Sequence, residues 1–105
     1  PNMITVMNCV TVDPDRAVDF ERAFLSRERL LDQAPGFRRF ELLRRDKGAE
    51  YVVLTTWQSE QHFRDWVKSD LFARAHRRDG ERGFGGHSEL RSYEILDVEE
   101  ATAPA

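Results

Sequence analysis

Residues 37–57, FRRFELLRRDKGAEYVVLTTW, decide how this chain folds. The stretch 37–44 is rich in bulky types, Asp46-Lys47-Gly48 supplies turn chemistry, and 51–57 is a second β-rich run; together they read as a hairpin. Both strands carry large residues at both parities: Phe37, Phe40, Leu42 and Leu43 in the first, and Val52, Val53, Leu54 and Trp57 in the second. A strand with one wet face shows strict alternation, so both faces of this sheet want burial. Helices can cover one face. The other is expected to pair with the sheet of a second copy, closing a β-barrel in a homodimer.

Upstream of the hairpin, Pro35-Gly36 ends a helix. Asp13 is placed as its N-cap and Pro14 at its first position, so the helix is expected to run from 14 to about 34. Its apolar stripe is Ala17, Phe20, Ala23 and Phe24, then Leu30 and Leu31, with Arg27 falling on the stripe. Before it, residues 3–12 (MITVMNCVTV) form a strand whose even positions read Ile4, Val6, Asn8, Val10, Val12. Downstream, Ser59 caps a second helix carrying Phe63, Trp66 and Val67. Ser69-Asp70 interrupts or re-caps it, and Phe72, Ala75 and His76 share a face in the last turns. The glycine-rich stretch 79–87, DGERGFGGH, is expected to be a mobile loop, 90–98 a fourth strand, and 99–105 a frayed tail.

The order is β-α-β-β-α-β. It predicts one α+β, ferredoxin-like domain over 3–98, a four-stranded antiparallel sheet with two helices on one face. A chain of 105 residues suits one domain, and 40% hydrophobic with 33% charged residues is a globular composition. A net charge of -3 argues against a general nucleic-acid binder. The single cysteine, Cys9, precludes an internal disulfide and suits a reducing compartment. No apolar run is long enough to cross a membrane, and the first residues show no signal-peptide pattern, so a cytoplasmic location is expected.

Four residues sit oddly in these patterns. Asn8 is an amide on an apolar strand face, where it is a poor strand former. It is either a bulge, an amide satisfied by backbone, or a donor aimed into a pocket. His76 lies on the inward side of the last helical turns; it either complements the helix dipole or serves as a base or metal ligand. No second ligand lies at zinc-binding spacing, whereas haem needs only one axial residue because the porphyrin supplies four nitrogens. Trp66 passes as core. It lies ten residues before His76, roughly 15 Å along a straight helix, so a kink near Ser69-Asp70 would let both address one site. Arg27 either snorkels to solvent or pairs with an acidic ligand edge. His62 and His87 read as surface or loop residues, and Cys9 as ordinary packing.

Taken together, these segments resemble a known group. Asn8 in the first strand, FERAFLSR (20–27), APGFRRFELL (34–43), YVVLTTWQSEQHFRDW (51–66) and WVKSDLFARAH (66–76) are similar to the antibiotic-biosynthesis-monooxygenase superfamily of dimeric ferredoxin-like domains. Within it they look most like the bacterial haem-degrading monooxygenases, the non-canonical haem oxygenases. The PGF and TxW elements are shared across the superfamily and indicate fold. The strand-1 Asn, the helix Trp and the His after SDLFxxAH are specific to the haem-degrading branch; the glycine-rich loop after His76 matches it poorly. The resemblance implies that His76 is the proximal ligand of the haem iron and that Asn8 hydrogen-bonds distal water or dioxygen. It implies that Trp66 presses the porphyrin out of plane, Phe24 lines the pocket and Arg27 lies near the haem edge. Haem would be both cofactor and substrate, with O2 and electrons from an external reductase or small reductant. Three alternatives stand beside this reading: a cofactor-free oxygenase of a polycyclic aromatic substrate, a non-catalytic haem-binding protein, and a dimeric domain with no small-molecule chemistry.

Overall fold

A computed structural model describes residues 2–76 and 86–102. It holds four strands, β1 (Ile4–Thr11), β2 (Phe37–Arg44), β3 (Glu50–Trp57) and β4 (His87–Glu94), and three α-helices, α1 (Ala17–Leu25), α2 (Glu60–Val67) and α3 (Asp70–Ala75). The sheet is antiparallel throughout, in the order β2-β3-β1-β4. This is the ferredoxin-like α+β arrangement that the element order predicts. It is an open sheet within one chain.

Local chemistry explains most boundaries. Gly36 turns the chain into β2 at φ +81°, and a Cβ there would meet the His62 ring 2.3 Å away, so only glycine fits. Ser59 caps α2, its hydroxyl accepting from the His62 N–H at 3.3 Å. Ser69 both separates and joins α2 and α3. Its hydroxyl donates to the Trp66 carbonyl at 2.7 Å and accepts from the Phe72 N–H at 3.2 Å.

Three expectations are corrected. The first helix does not run from 14 to 34: a short 3-10 turn at Pro14–Arg16 precedes α1, which stops at Leu25, and a second turn follows at Leu31–Gln33. Side chains end it early. The Ser26 hydroxyl takes the Arg22 carbonyl at 2.7 Å, and the Arg27 guanidinium takes the Phe24 carbonyl at 2.8 Å. Asp13 precedes the turn with Pro14 next to it, but its side chain makes no cap bond. The fourth strand is His87–Glu94 rather than 90–98, because pairing with β1 sets Thr11 opposite His87 and Ile4 opposite Glu94. His87, expected in a loop, therefore opens β4. The rest of the glycine-rich stretch, apart from Gly86, lies outside the described residues, as do 103–105 of the tail.

Register sorts the sheet faces. Ile4, Val6, Asn8 and Val10 point to the helices together with Tyr51, Val53, Thr55 and Trp57 of β3. The core on this side is in two parts. One gathers Ile4, Val6, Leu30, Ala34, Trp57 and Trp66 beneath α2 and α3, centred on Trp57, which is fully buried. The other gathers Val12, Phe20, Ala49 and Tyr51 beneath α1. Among the described residues the opposite face bears no helix. It presents the half-buried Met7, Cys9, Val52 and Leu54 and the more exposed Leu43 and Tyr93.

Candidate functional site

Between the two core clusters one row of the sheet is left over. Leu90 of β4, Asn8 of β1, Val53 of β3 and Leu42 of β2 lie side by side in register. Neither Asn8 nor Val53 belongs to either cluster. Asn8 is half-buried, and Leu90 beside it is 61% exposed. The row lies between the cluster beneath α2 and α3 and the cluster beneath α1. Asn8 is not a bulge: both of its strand pairings run through it without a shift. Its amide makes no side-chain hydrogen bond to any of the described residues. The bulge reading of Asn8 falls away.

One wall is aromatic. Trp66 is 6% exposed and leans on Trp57, with ring centroids 6.1 Å apart. Phe72 meets Trp66 edge-on at 5.7 Å and stacks on the His76 imidazole at 3.9 Å and 26°. The break between α2 and α3 is what folds Trp66, Phe72 and His76 into one contiguous series. His76 itself is exposed at the end of α3 rather than turned into the core, contrary to expectation. Its Nδ1 lies 2.9 Å from the Phe72 carbonyl oxygen. A carbonyl only accepts, so Nδ1 donates, and in the neutral ring Nε2 is then the nitrogen with the lone pair.

The other wall carries the cation. Phe24 packs against the second cluster and lies 4.9 Å from the Phe20 ring. Arg27, half-buried after α1, sets its guanidinium 4.0 Å over the Phe40 ring while bonding the Phe24 carbonyl. Burial, and after it the charge of Arg29, pushes the Arg27 guanidinium below its ordinary pKa. Next to Arg27, Glu28 forms an ion pair with Arg74 of α3. This contact ties the two walls together.

The structure thus places Asn8 on the sheet row between the clusters, Trp66 and His76 in one aromatic series with Phe72, and Phe24 and Arg27 together at the end of α1. Two contributors escape sequence reasoning, Phe40 beneath Arg27 and the Glu28–Arg74 pair, whereas Phe72 shares a face with His76 at a spacing of four. Among the described residues no group of three or more His, Cys, Asp or Glu is placed to hold a metal ion. None of the helices there is long and apolar enough to cross a membrane.

The fold and this groove define a class. Residues 3–78 match the family model described as antibiotic biosynthesis monooxygenase, and the chain belongs to that family. It is an oxidoreductase of the monooxygenase type. A Mycobacterium tuberculosis protein named heme oxygenase (mycobilin-producing) is 31% identical over 97 residues, spanning 90% of this chain and 91% of its own. The solved structure of the M. tuberculosis heme-degrader MhuD, with two hemes bound in its active site, superposes with a TM-score of 0.77. It is 28% identical, over 91% of this chain and 99% of that one. The cofactor-independent oxygenase SnoaB of Streptomyces nogalater also shares the fold. Its TM-score is 0.73 and its identity 25%, over 93% of this chain and 97% of that one.

Proposed function

We propose that this chain is a haem-degrading monooxygenase that takes haem as substrate and cofactor at the Asn8–Trp66–His76 groove, opens the porphyrin with O2 and external electrons, and releases iron. The observation that carries the reading is His76: Nδ1 is engaged by a carbonyl, Nε2 has no partner among the described residues, and the ring stacks on Phe72. The residues fit the group. One aromatic face suits a flat macrocycle, one imidazole suits its iron, and one half-buried guanidinium suits a carboxylate on its edge.

Bound haem supplies the iron that activates O2 and the ring carbon that is oxidised. The protein's own residues do the rest. His76 offers a neutral nitrogen whose orientation is already set. Asn8 offers an amide N–H to an oxygen atom in the groove, where a donor already in place costs little reorganisation. Trp66, backed by Trp57 and Phe72, would hold one face of a flat ligand. Arg27 pairs with a ligand carboxylate, and Phe24 excludes water beside it. Electrons come from a reductase or small reductant in the cytoplasm. The helix-free face of the sheet pairs with a second copy, closing the barrel of a homodimer.

Haemin titration tests the reading. The wild type is expected to develop a Soret band that His76→Ala removes, and Trp66→Ala to keep the band but slow its loss under reductant. The likeness to SnoaB favours one other reading, a cofactor-independent oxygenase. Weak haemin binding indifferent to His76 would decide for it.

A further inference from the structure

Phe72 touches two of the residues on which the haem reading depends, and does so in three ways. Its ring meets Trp66 edge-on, at 5.7 Å and 84°. The other side of the series is the His76 imidazole, stacked at 3.9 Å and 26°. Its carbonyl receives the His76 Nδ1 proton at 2.9 Å. Each contact removes a different freedom. The carbonyl bond sets which nitrogen is protonated, and the stack sets the plane of the imidazole. Trp66, buried in the core, keeps the Phe72 ring from following His76 if the imidazole turns. An exposed histidine at a helix end otherwise samples several rotamers and both tautomers.

We infer that Phe72 is a positioning residue that holds the His76 imidazole in one plane and one tautomer, so that Nε2 is presented before any ligand arrives. The inference rests on the haem reading for its consequence, since Nε2 is the atom said to meet the iron. The hold itself is a property of the ligand-free chain. Pre-ordering of this kind strengthens binding by lowering the entropy lost on ligation. An aromatic pair of this geometry corresponds to about two- to tenfold in affinity.

The test is a cycle of Phe72→Leu and His76→Ala, alone and together. Haemin affinity is followed by quenching of the two tryptophans, which needs no Soret band and no turnover. Phe72→Leu is expected to weaken binding about two- to tenfold in the otherwise native chain. It should change nothing in the His76→Ala chain, because the residue it positions is gone. Phe72→Tyr should restore the native value. Equal weakening in both backgrounds would make Phe72 an ordinary wall residue and overturn the inference, as would no weakening in either. Nitrogen NMR of the ligand-free protein gives an independent arm. His76 should be the Nδ1-protonated tautomer in the native chain and a mixture in Phe72→Leu, where loss of the stack frees the imidazole to leave the carbonyl; a mixture in both, or a single tautomer in both, refutes the hold by the ring. If haemin binds the native chain without regard to His76, the haem reading fails while the NMR arm still decides on Phe72.

Discussion

Tyr51 of β3 donates its phenol proton to Glu21 of α1 at 2.5 Å, and Arg44 of β2 lies 3.3 Å from the same carboxylate. Burial first, and then the Glu21 bond and charge, push the Tyr51 pKa up to about 12. The bond to Tyr51, with help from Arg44, holds Glu21 below the usual carboxylate range. The sign for alkali follows. An unfolded chain releases the phenol proton near pH 10, whereas the folded one keeps it to about 12. The stabilisation is complete below pH 10 and drains away as pH rises through about 12. Denaturant midpoints measured from pH 9 to 12 should therefore fall steadily, and Tyr51→Phe should flatten that fall; an unchanged slope in the variant would remove Tyr51 as its source. Single residues were unevenly legible in the sequence. Asn8 stood out because an amide among β-branched neighbours breaks a two-residue period. Phe40 and Glu28 did not, since a ring under a guanidinium and an ion pair spanning 46 residues leave no trace in periodicity.

At the level of elements, α3 is the piece on which the aromatic wall depends, and it is only six residues long. A helix that short does not persist on propensity alone. Ser69 supplies its cap, while Leu71 and Phe72 pack it onto the first core cluster. Ser69→Ala removes both the cap and the bond to the Trp66 carbonyl, and is expected to cost about 0.5–2 kcal/mol in chemical denaturation with an unchanged m value. A cost near zero would show that packing alone holds α3. The Glu28–Arg74 pair contributes less, since both side chains are more than half exposed and such pairs are worth about 0–1 kcal/mol. The elements were legible where punctuation is strong: Pro35-Gly36, Asp46-Lys47-Gly48 and the two serine caps sit where the chain turns. The end of α1 was not. Leu30 and Leu31 continue a helical rhythm, but Ser26 and Arg27 spend their side chains on the last carbonyls and the chain leaves the helix. β4 was misplaced by three residues at its start because pairing with β1, and not its own composition, sets its register.

Over the whole molecule, the asymmetry between the two sheet faces sets the expected assembly. One face is roofed by helices. The other carries Met7, Cys9, Val52 and Leu54 without cover, with Leu43 43% and Tyr93 48% exposed. Apolar surface of this kind is stabilised by burial at about 25 cal/mol per Å². A second copy is the occupant that the bulky residues at both parities of β2 and β3 call for. Gel filtration across a dilution series should give the mass of two chains, and Leu54→Arg should give one chain that retains its helical circular dichroism. A native chain that elutes as a monomer at every concentration would sink the dimer.

The central claim, that the groove destroys haem rather than only holding it, is tested most directly by iron release. The haemin complex is mixed with reductant in air, and iron captured by a ferrous chelator is measured against the haem consumed. The account predicts close to one chelated iron per haem for the native chain, loss of the Soret band at the same rate, and neither event for His76→Ala. A Soret band that persists in the native chain, with no chelated iron, would contradict it.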